Sequence, residues 1–379
     1  MGLQIEKVQS DKQLRQFLKV PWLVYKNDPY WVPWLYHDRL NAFTRGKHPF
    51  FDHAEADFFI ARRDGQPVGI IAAILNHRHN QIHEENVAHF GVFEVLNDPE
   101  AAAALLDTAV TWAREHGTDK ILGPMNLSTN DECGLLIDGF DKPPVIMMTY
   151  NPPYYVDFLE ANGFTKAMDL WAWWADINDT VNNLPEKLLR VVSKVNDRYH
   201  LTIRSLNMKD WDNEVARAKA IYNSAWAQNW GFVPMTDAEF DHLAHSLKPI
   251  LDPDIAFIVE KDGQPVGVSV SLPDANQPLH QFHPGPSILS SYLGGAYSLL
   301  FKNRADFLRV TILGVLDQYR GNGVDAMMYY ETAKAAAKKG YKFAEASWIL
   351  ETNDRMNRPI EMMGGKIYKT YRIYEKVVR

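Results

Sequence analysis

The sequence predicts an α/β (α+β) chain in which one strand-and-helix design occurs twice in tandem, and three observations lead there. With 379 residues, 46% of them hydrophobic and 23% charged, the chain can fill two ordinary cores and is too apolar to stay disordered. The strand and helix signals of the first half return in the same order in the second. The phrase Asp-Gly-Gln-Pro-Val-Gly stands at 64–69 and again at 262–267, at matching points of the two series. Residues 1–176 and 200–379 are therefore expected to form the two domains, with 177–199 as a linker helix.

The first series opens with a strand near Gln4–Val8 and a helical region from Ser10. A strand at Asp57–Arg62 is turned by Asp64-Gly65 into Val68–Leu75, a hairpin by its dipeptide and its flanking apolar runs. A strand at Ala88–Val95, the alanine-rich helix Pro99–His116 and a short strand Lys120–Leu122 follow, and Asn162-Gly163-Phe164 leads into Ala167–Ala175. Lys187–Arg198 is basic and amphipathic, with Leu188, Leu189, Val192 and Val195 at helical spacing, so it reads as a connecting helix, either a packed brace or a membrane-surface segment. The second series runs strand Leu201–Leu206, helix Asn213–Ala227, strand Ala256–Glu260, the Asp262-Gly263 turn and strand Val266–Leu272. It closes with strand Phe307–Val315, helix Gly323–Lys339, strand Tyr341–Leu350, helix Arg355–Met363 and strand Lys366–Val377.

Composition narrows the function. A formal net charge of -7 disfavours a partner whose phosphates must be neutralised, so no nucleic acid is expected. The N-terminal MGLQIEKVQSDKQLRQ lacks the apolar centre of a signal peptide. No window reaches the ~18 uncharged apolar residues of a membrane span. A soluble cytoplasmic chain is expected, with peripheral membrane contact left open. The single cysteine, Cys133, makes no internal disulfide and has no identifiable histidine partner that would make it a nucleophile. His77, His79, His83 and His89 invite a metal hypothesis, but no cysteine joins them and alternation along a strand is an ordinary pattern, so no metal is expected. The 11 Trp, 17 Tyr and 18 Phe suffice to line a large apolar cavity as well as fill two cores.

The stretch FLRVTILGVLDQYRGNGVDAMM, Phe307–Met328, ends an apolar strand, turns at Arg320-Gly321-Asn322-Gly323 and begins a helix at once. Orphan N–H groups and the positive dipole end meet there, glycines allow a diphosphate close to the backbone, and Arg320 adds a full charge. By itself the same junction is also an ordinary strand-to-helix turn. Taken with Tyr341–Leu350, Asn353 opening the next helix and Gly364-Gly365 before the last strand, it resembles the second half of a GNAT acyltransferase. The resemblance implies two tandem GNAT-like domains, each a mixed, mostly antiparallel sheet flanked by helices, and an acyl-CoA co-substrate, acetyl-CoA or longer. It implies that Arg320, Gly321, Asn322, Gly323 and Val324 hold the pyrophosphate. Leu313, Gly314 and Val315 would pair with the pantetheine arm, and Asn353 would touch the cofactor near its thiol. Two departures stand out. Asp325 occupies a position where the motif has Gly or Ala, and the tyrosine often found in the following helix is absent, its place falling near Ile360.

The first half's equivalent turn, Leu96–Glu100, is acidic and has no Gly-x-Gly, which implies one cofactor site and a degenerate first domain serving as an acceptor platform. Asp28–Pro33, Gly123–Asn130, Asn229–Pro234 and Ser347–Asn353 resemble a narrower bacterial tandem-GNAT group of long-chain N-acyltransferases similar to ceramide synthase. The expected function is transfer of an acyl group, long-chain within that group, from acyl-CoA to a small-molecule or lipid amine. The alternative is a non-catalytic protein that binds or senses acyl-CoA or lipid.

Amide formation needs a base for the amine and a donor for the departing thiolate. Glu345 and Glu351, six apart on one expected strand, are base candidates, or else a surface pair and a helix cap. Tyr371 and Tyr374 on the last strand are candidates for the thiolate donor, or core tyrosines. Asn126, Ser128, Thr129 and Asn130 form a dense polar loop that either recognises the acceptor or bonds to itself. The apolar insertion Pro286–Phe301 either walls an acyl tunnel or covers the sheet as a helix pair.

Overall fold

Asp64 and Gly65 carry φ of +52° and +83°, and Asp262 and Gly263 carry +51° and +75°. Two successive positive φ values are what a two-residue hairpin turn requires to match strand twist, so both Asp-Gly pairs close hairpins. The structure, a computed structural model, describes residues 2–378, except for the side chains of 187 and 196–199. The basic side chains of Lys187 and Arg198 thus lie outside the described residues. The chain divides into two units: Met1–Leu170, Leu279–Ser298 and Lys369–Arg379 form unit 1, and Trp171–Pro278 with Leu299–Tyr368 form unit 2.

In unit 1, β1 (Leu3–Lys7), β2 (Ala54–Arg63), β3 (Gln66–Asn76), β4 (Val87–Val95) and β5 (Lys120–Gly123) stand in sequence order. Neighbours are antiparallel except β4 and β5, which run parallel. Then come β6 (Leu135–Asp138) and β7 (Thr165–Asp176), the latter divided between the units at Leu170. Unit 2 repeats the order with β8 (Leu201–Ser205), β9 (Ala256–Lys261), β10 (Gln264–Pro273), β11 (Phe307–Val315) and β12 (Phe343–Leu350), antiparallel until the parallel β11–β12 pair. From Lys369 onward β13 (Lys366–Val377) belongs to unit 1, where it pairs with β5 through Tyr374–Val377 and with β6 through Thr370–Arg372.

The repeated phrase has a packing reason beyond its turn. A Cβ on Gly69 would stand 2.8 Å from Leu105 Cδ1 of the helix Pro99–Glu115, and one on Gly267 would stand 3.2 Å from Met328 Sδ of the helix Val324–Lys339. In each unit the helix that links the parallel strands crosses the second hairpin strand where the side chain is missing. Buried Ala101, Ala102, Ala109 and Ala113 on the first of these helices allow the same close approach. The other face of the unit 1 sheet packs Phe58, Ile60 and Ile70 on Phe17, Tyr36, Phe43 and Phe50.

Several segments differ from the sequence reading. His77–His83 is a helix, not part of a strand, because Asn76 caps it by accepting from the His79 N–H. Tyr36–Ala42, Tyr154–Ala161 and Asp237–Leu247 are further helices without a predicted counterpart. The last starts at Thr236 and Glu239, a reciprocal capping box readable in the sequence. The connecting helix spans Glu186–Tyr199, and its Val191 and Val195 lie over Gly323, within unit 2. The insertion forms a single helix, Ile288–Phe301, rather than a helix pair, with Leu289, Tyr292 and Leu293 exposed.

Candidate active site

The parallel pairing of β11 with β12 runs from Phe307↔Phe343 to Val310↔Ala346, while β11 stays paired with β10 as far as Val315. Beyond Val310 the two strands part. At the point of parting sits a buried polar cluster. Glu345 is wholly buried on β12, and its two carboxylate oxygens accept from the hydroxyls of Ser347 and Tyr368. Arg309, opposite Glu345 in the ladder, donates from Nε to Ser347 Oγ and from an Nη to the Ser347 carbonyl, both at 3.0 Å. A buried carboxyl group costs several kcal/mol unless hydrogen-bonded, and the two hydroxyls supply those bonds, with the Arg309 guanidinium held on the same Ser347.

Of the residues singled out in the sequence, Glu345 is in this cluster and Glu351 is not. β12 ends at Leu350, so Glu351 falls in the turn beyond it, where its carbonyl accepts from Asn357, and the shared-face argument for the two glutamates does not apply. Tyr371 and Tyr374 belong to unit 1 and are buried there. Tyr374 packs in the unit 1 core and donates to Glu160 at 3.2 Å; burial first, then the Glu160 charge, push its hydroxyl up to about 12. The tyrosine of β13 that meets the glutamate is Tyr368, which the sequence reading passed over. The strand's Tyr-x-x-Tyr-x-x-Tyr spacing was its signal, since period-2 alternation sets Tyr371 on the opposite face from both of its neighbours.

At the turn after β11, Gly321 and Gly323 have φ of +69° and +87°, and the helix Val324–Lys339 begins with no side-chain cap. Its first N–H groups are thus left for solvent or a ligand. Among the described residues nothing lies within 4 Å of a Cβ placed on Gly321, but one on Gly323 would meet Val191 at 2.4 Å and Val195 at 2.9 Å. The cradle is open at its first glycine and covered at its second. Arg320 does not reach over it. Its guanidinium donates to the carbonyls of Val315 and Ala225 and pairs with Asp317 at 2.5 Å, so it braces the turn. Asp325 sits in the first helical turn, where the dipole favours a carboxylate. Leu313, Gly314 and Val315 are on the β11 segment beyond the β12 pairing, with Trp226 and Ala225 against Gly314. Asn353 precedes the helix Asp354–Met362 without a capping bond, and the side chain of Asn357 spans Leu350 O and Trp173 Nε1 instead.

On the other face of β11 and β12, unit 2 has a cavity of about 70 Å³. Leu308, Val310, Ala344 and Ala346 form its sheet side, with Ala333 and Ala336 of the helix opposite.

In unit 1 the corresponding space between β4 and β5 is filled by the chain itself. Asn126 Oδ1 accepts from the Val92 N–H at 2.8 Å, and Met125 N–H donates to the Phe90 carbonyl at 2.8 Å. The Asn126 amide also donates to Glu132, which pairs with Arg39. Ser128 donates to Asp131 at 2.8 Å and accepts from the Asn130 N–H, while Thr129 is buried, so the loop bonds to itself. Beside it Glu94, absent from the sequence candidates although it stands alone in the apolar run Phe90–Leu96, accepts from Tyr25 at 2.7 Å and Tyr155 at 3.0 Å. Burial pushes its carboxyl up to about 8. His79 and His89 pack ring to ring at 4.7 Å, and neither ring nitrogen of His89 has a hydrogen-bond partner among the described residues. Among the described residues no cluster of three or more His, Cys, Asp or Glu side chains is arranged to hold a metal ion.

Two copies of an antiparallel sheet ending in a parallel pair, with a glycine-started helix and a parting of the strands in the second, define a tandem GNAT fold. The chain belongs to the bacterial family that includes protein YghO and a bacterial ceramide synthase, and it has the tandem GNAT fold. It is 35% identical over 377 residues to protein YghO of Escherichia coli (strain K12), covering 97% of this chain and 94% of that protein. It is 35% identical over 381 residues to the bacterial ceramide synthase of Caulobacter vibrioides, covering 99% and 98%. Solved structures share the fold. A tandem GNAT protein of clavulanic acid biosynthesis matches with TM-score 0.59 at 12% identity over 100% of this chain and 99% of that one. A GCN5-related N-acetyltransferase from Sphaerobacter thermophilus matches with TM-score 0.51 at 12% identity, covering 99% and 96%. No family model matches the chain. No helix among the described residues is long and apolar enough to cross a membrane.

Proposed function

We propose that this protein is an N-acyltransferase that moves a long acyl group from acyl-CoA to a lipid amine, with its reacting centre where β11 and β12 part. The observation that carries the reading is the buried Glu345 cluster at that point, beside a strand edge and on the strand that follows an uncapped, glycine-started helix. The amine nitrogen attacks the thioester carbonyl, the C–S bond breaks, and the products are an amide and the free thiol of CoA. Glu345 is the base. Because both of its oxygens are taken by hydroxyls, the amine's proton reaches it through Tyr368 or Ser347, and the same hydroxyls return a proton to the thiolate. Arg309 holds Ser347 in place. Gly321, Asn322 and Val324 take the pyrophosphate on backbone N–H groups, with Arg320 shaping the turn rather than touching the phosphate.

The acceptor follows from the name of the Caulobacter vibrioides relative, since a ceramide is the amide of a long-chain amino alcohol. Exposed Leu289, Tyr292 and Leu293 support a membrane surface as the place where such an acceptor is met. One observation favours the non-catalytic alternative, an acyl-CoA or lipid sensor: Val191 and Val195 cover Gly323, so full use of the cradle requires the helix Glu186–Tyr199 to shift.

Release of free thiol from palmitoyl-CoA in the presence of long-chain amino alcohols separates the two. We expect turnover in the wild type and a fall of about 100-fold or more in kcat for Glu345→Gln, with palmitoyl-CoA affinity retained. Binding without thiol release supports the sensor, and full activity of Glu345→Gln removes the glutamate from the mechanism.

A further inference from the structure

We propose that the apolar cavity of unit 2 receives the distal part of the acyl chain, and that Ala333, Ala344 and Ala346 set the chain length the protein accepts; this rests on the acyltransferase reading above. The position of the cavity is the first argument. A cofactor arm anchored at the Gly321 turn and laid along the free edge of β11 runs from Val315 toward Val310, and what hangs from its thiol end continues that way. Val310 and Ala346, the last ladder pair before the strands part, line the cavity, and Leu308 and Ala344 lie next below them. Arg309, Glu345 and Ser347 alternate with these residues and are not in the lining, so the reacting groups and the cavity occupy opposite faces of the same two strands.

The chemistry of the lining is the second argument. Among the described residues no charged side chain contributes to it. Thr332, one of its hydroxyl residues, has its Oγ engaged with Ser269 at 3.2 Å, and Thr180 Oγ donates to the Met363 carbonyl at 3.4 Å. A polar ligand would be desolvated there without compensation, whereas a saturated chain loses nothing. The third argument is that the space is kept open by small side chains. Ala333, Ala344 and Ala346 are only half-buried although they stand between a sheet and its helices, where larger side chains ordinarily interdigitate. At about 70 Å³ the cavity is well above the roughly 10–15 Å³ that one water needs, and it suits the end of a chain rather than the whole of a long one.

Titration of the full chain with acetyl-, octanoyl- and palmitoyl-CoA tests this. Wild type should bind octanoyl-CoA at least about 30-fold more tightly than acetyl-CoA, since each buried methylene contributes up to about fourfold. Ala346→Phe, which fills the cavity, should abolish that difference and leave acetyl-CoA binding unchanged. Met363→Ala, which enlarges it, should shift the preference toward palmitoyl-CoA and reports on the cavity even if Ala346→Phe does not fold. An unaltered length profile in the folded variants, or wild-type affinity independent of length, overturns the inference alone. Failure of every acyl-CoA to bind overturns the acyltransferase reading beneath it.

Discussion

Asn126 shows how a residue's part in the molecule depends on what the backbone leaves unpaired. Val92, on β4, has φ of +47°, a conformation that β-branched residues rarely adopt, and its N–H would have no strand partner at this point. The Asn126 side chain supplies the acceptor and passes the connection on to Glu132 and Arg39. Asn126→Ala strands the Val92 N–H, at a cost of about 1–3 kcal/mol. Urea unfolding should show that loss, and a change below about 0.5 kcal/mol would mean that the bond does not form in solution. In the sequence the polar loop was legible as a cluster of side chains able to hydrogen-bond, but whether they point to a ligand or to their own chain depends on the register between β4 and the loop. The same holds for the glutamates. Glu345 was legible as a carboxylate on an apolar strand, whereas the exclusion of Glu351 depended on where β12 ends, and strand ends are set by the neighbouring ladder.

At the scale of elements, what the sequence determines locally was readable and what needs a partner was not. The two hairpins follow from Asp-Gly between apolar runs, and Phe307–Val315 and Lys366–Val377 coincide with their expected bounds. The helix His77–His83 was hidden because histidines spaced by two or four fit strand and helix alike, and only the Asn76 cap decides. The helix Ile288–Phe301 has the opposite character: its 14 residues include no charge, yet Leu289 is 70% exposed, Tyr292 59% and Leu293 53%. Its inner side is fixed within unit 1, with Ser291 Oγ accepting from the His37 N–H and Gly294 against Pro284. An apolar stripe held outward on a docked helix marks an interaction surface, and under the lipid-acceptor proposal a membrane is the partner to test. Vesicles of zwitterionic phosphatidylcholine should co-sediment the wild type and release Leu289→Glu by about tenfold in partition coefficient. Equal partitioning of the two proteins would assign the stripe to something other than lipid.

Across the whole chain, three buried titratable groups of unit 1 shape how stability depends on pH, and they pull in opposite directions. Burial, then the charge of His83, lowers His79 from 6.5 to about 4, and burial lowers His89 well below 6.5. The folded chain therefore binds fewer protons than the unfolded one below about pH 6.5, and each histidine withdraws stability as the pH falls through that value, by up to about 1.4 kcal/mol per unit. Burial raises Glu94 from 4.5 to about 8, so between those values the folded chain keeps a proton that the unfolded chain has released, and stability falls as the pH rises. Two histidines outweigh one glutamate below about 6.5, and above it the glutamate acts alone. The depressed carboxylates of Asp57, Asp98 and Asp169 withdraw stability only as the pH falls through the ordinary carboxylate range, so they leave the maximum where it is. Stability should peak near pH 6.5 and decline toward about pH 8. Chemical denaturation at about pH 5.5, 6.5 and 8 measures the curve, and Glu94→Gln should remove the alkaline decline while leaving the acid limb intact. A wild-type curve that keeps rising to pH 8 would mean that Glu94 ionises in place, with Tyr25 and Tyr155 carrying its charge, and the buried carboxyl would then be an anion rather than a stored proton.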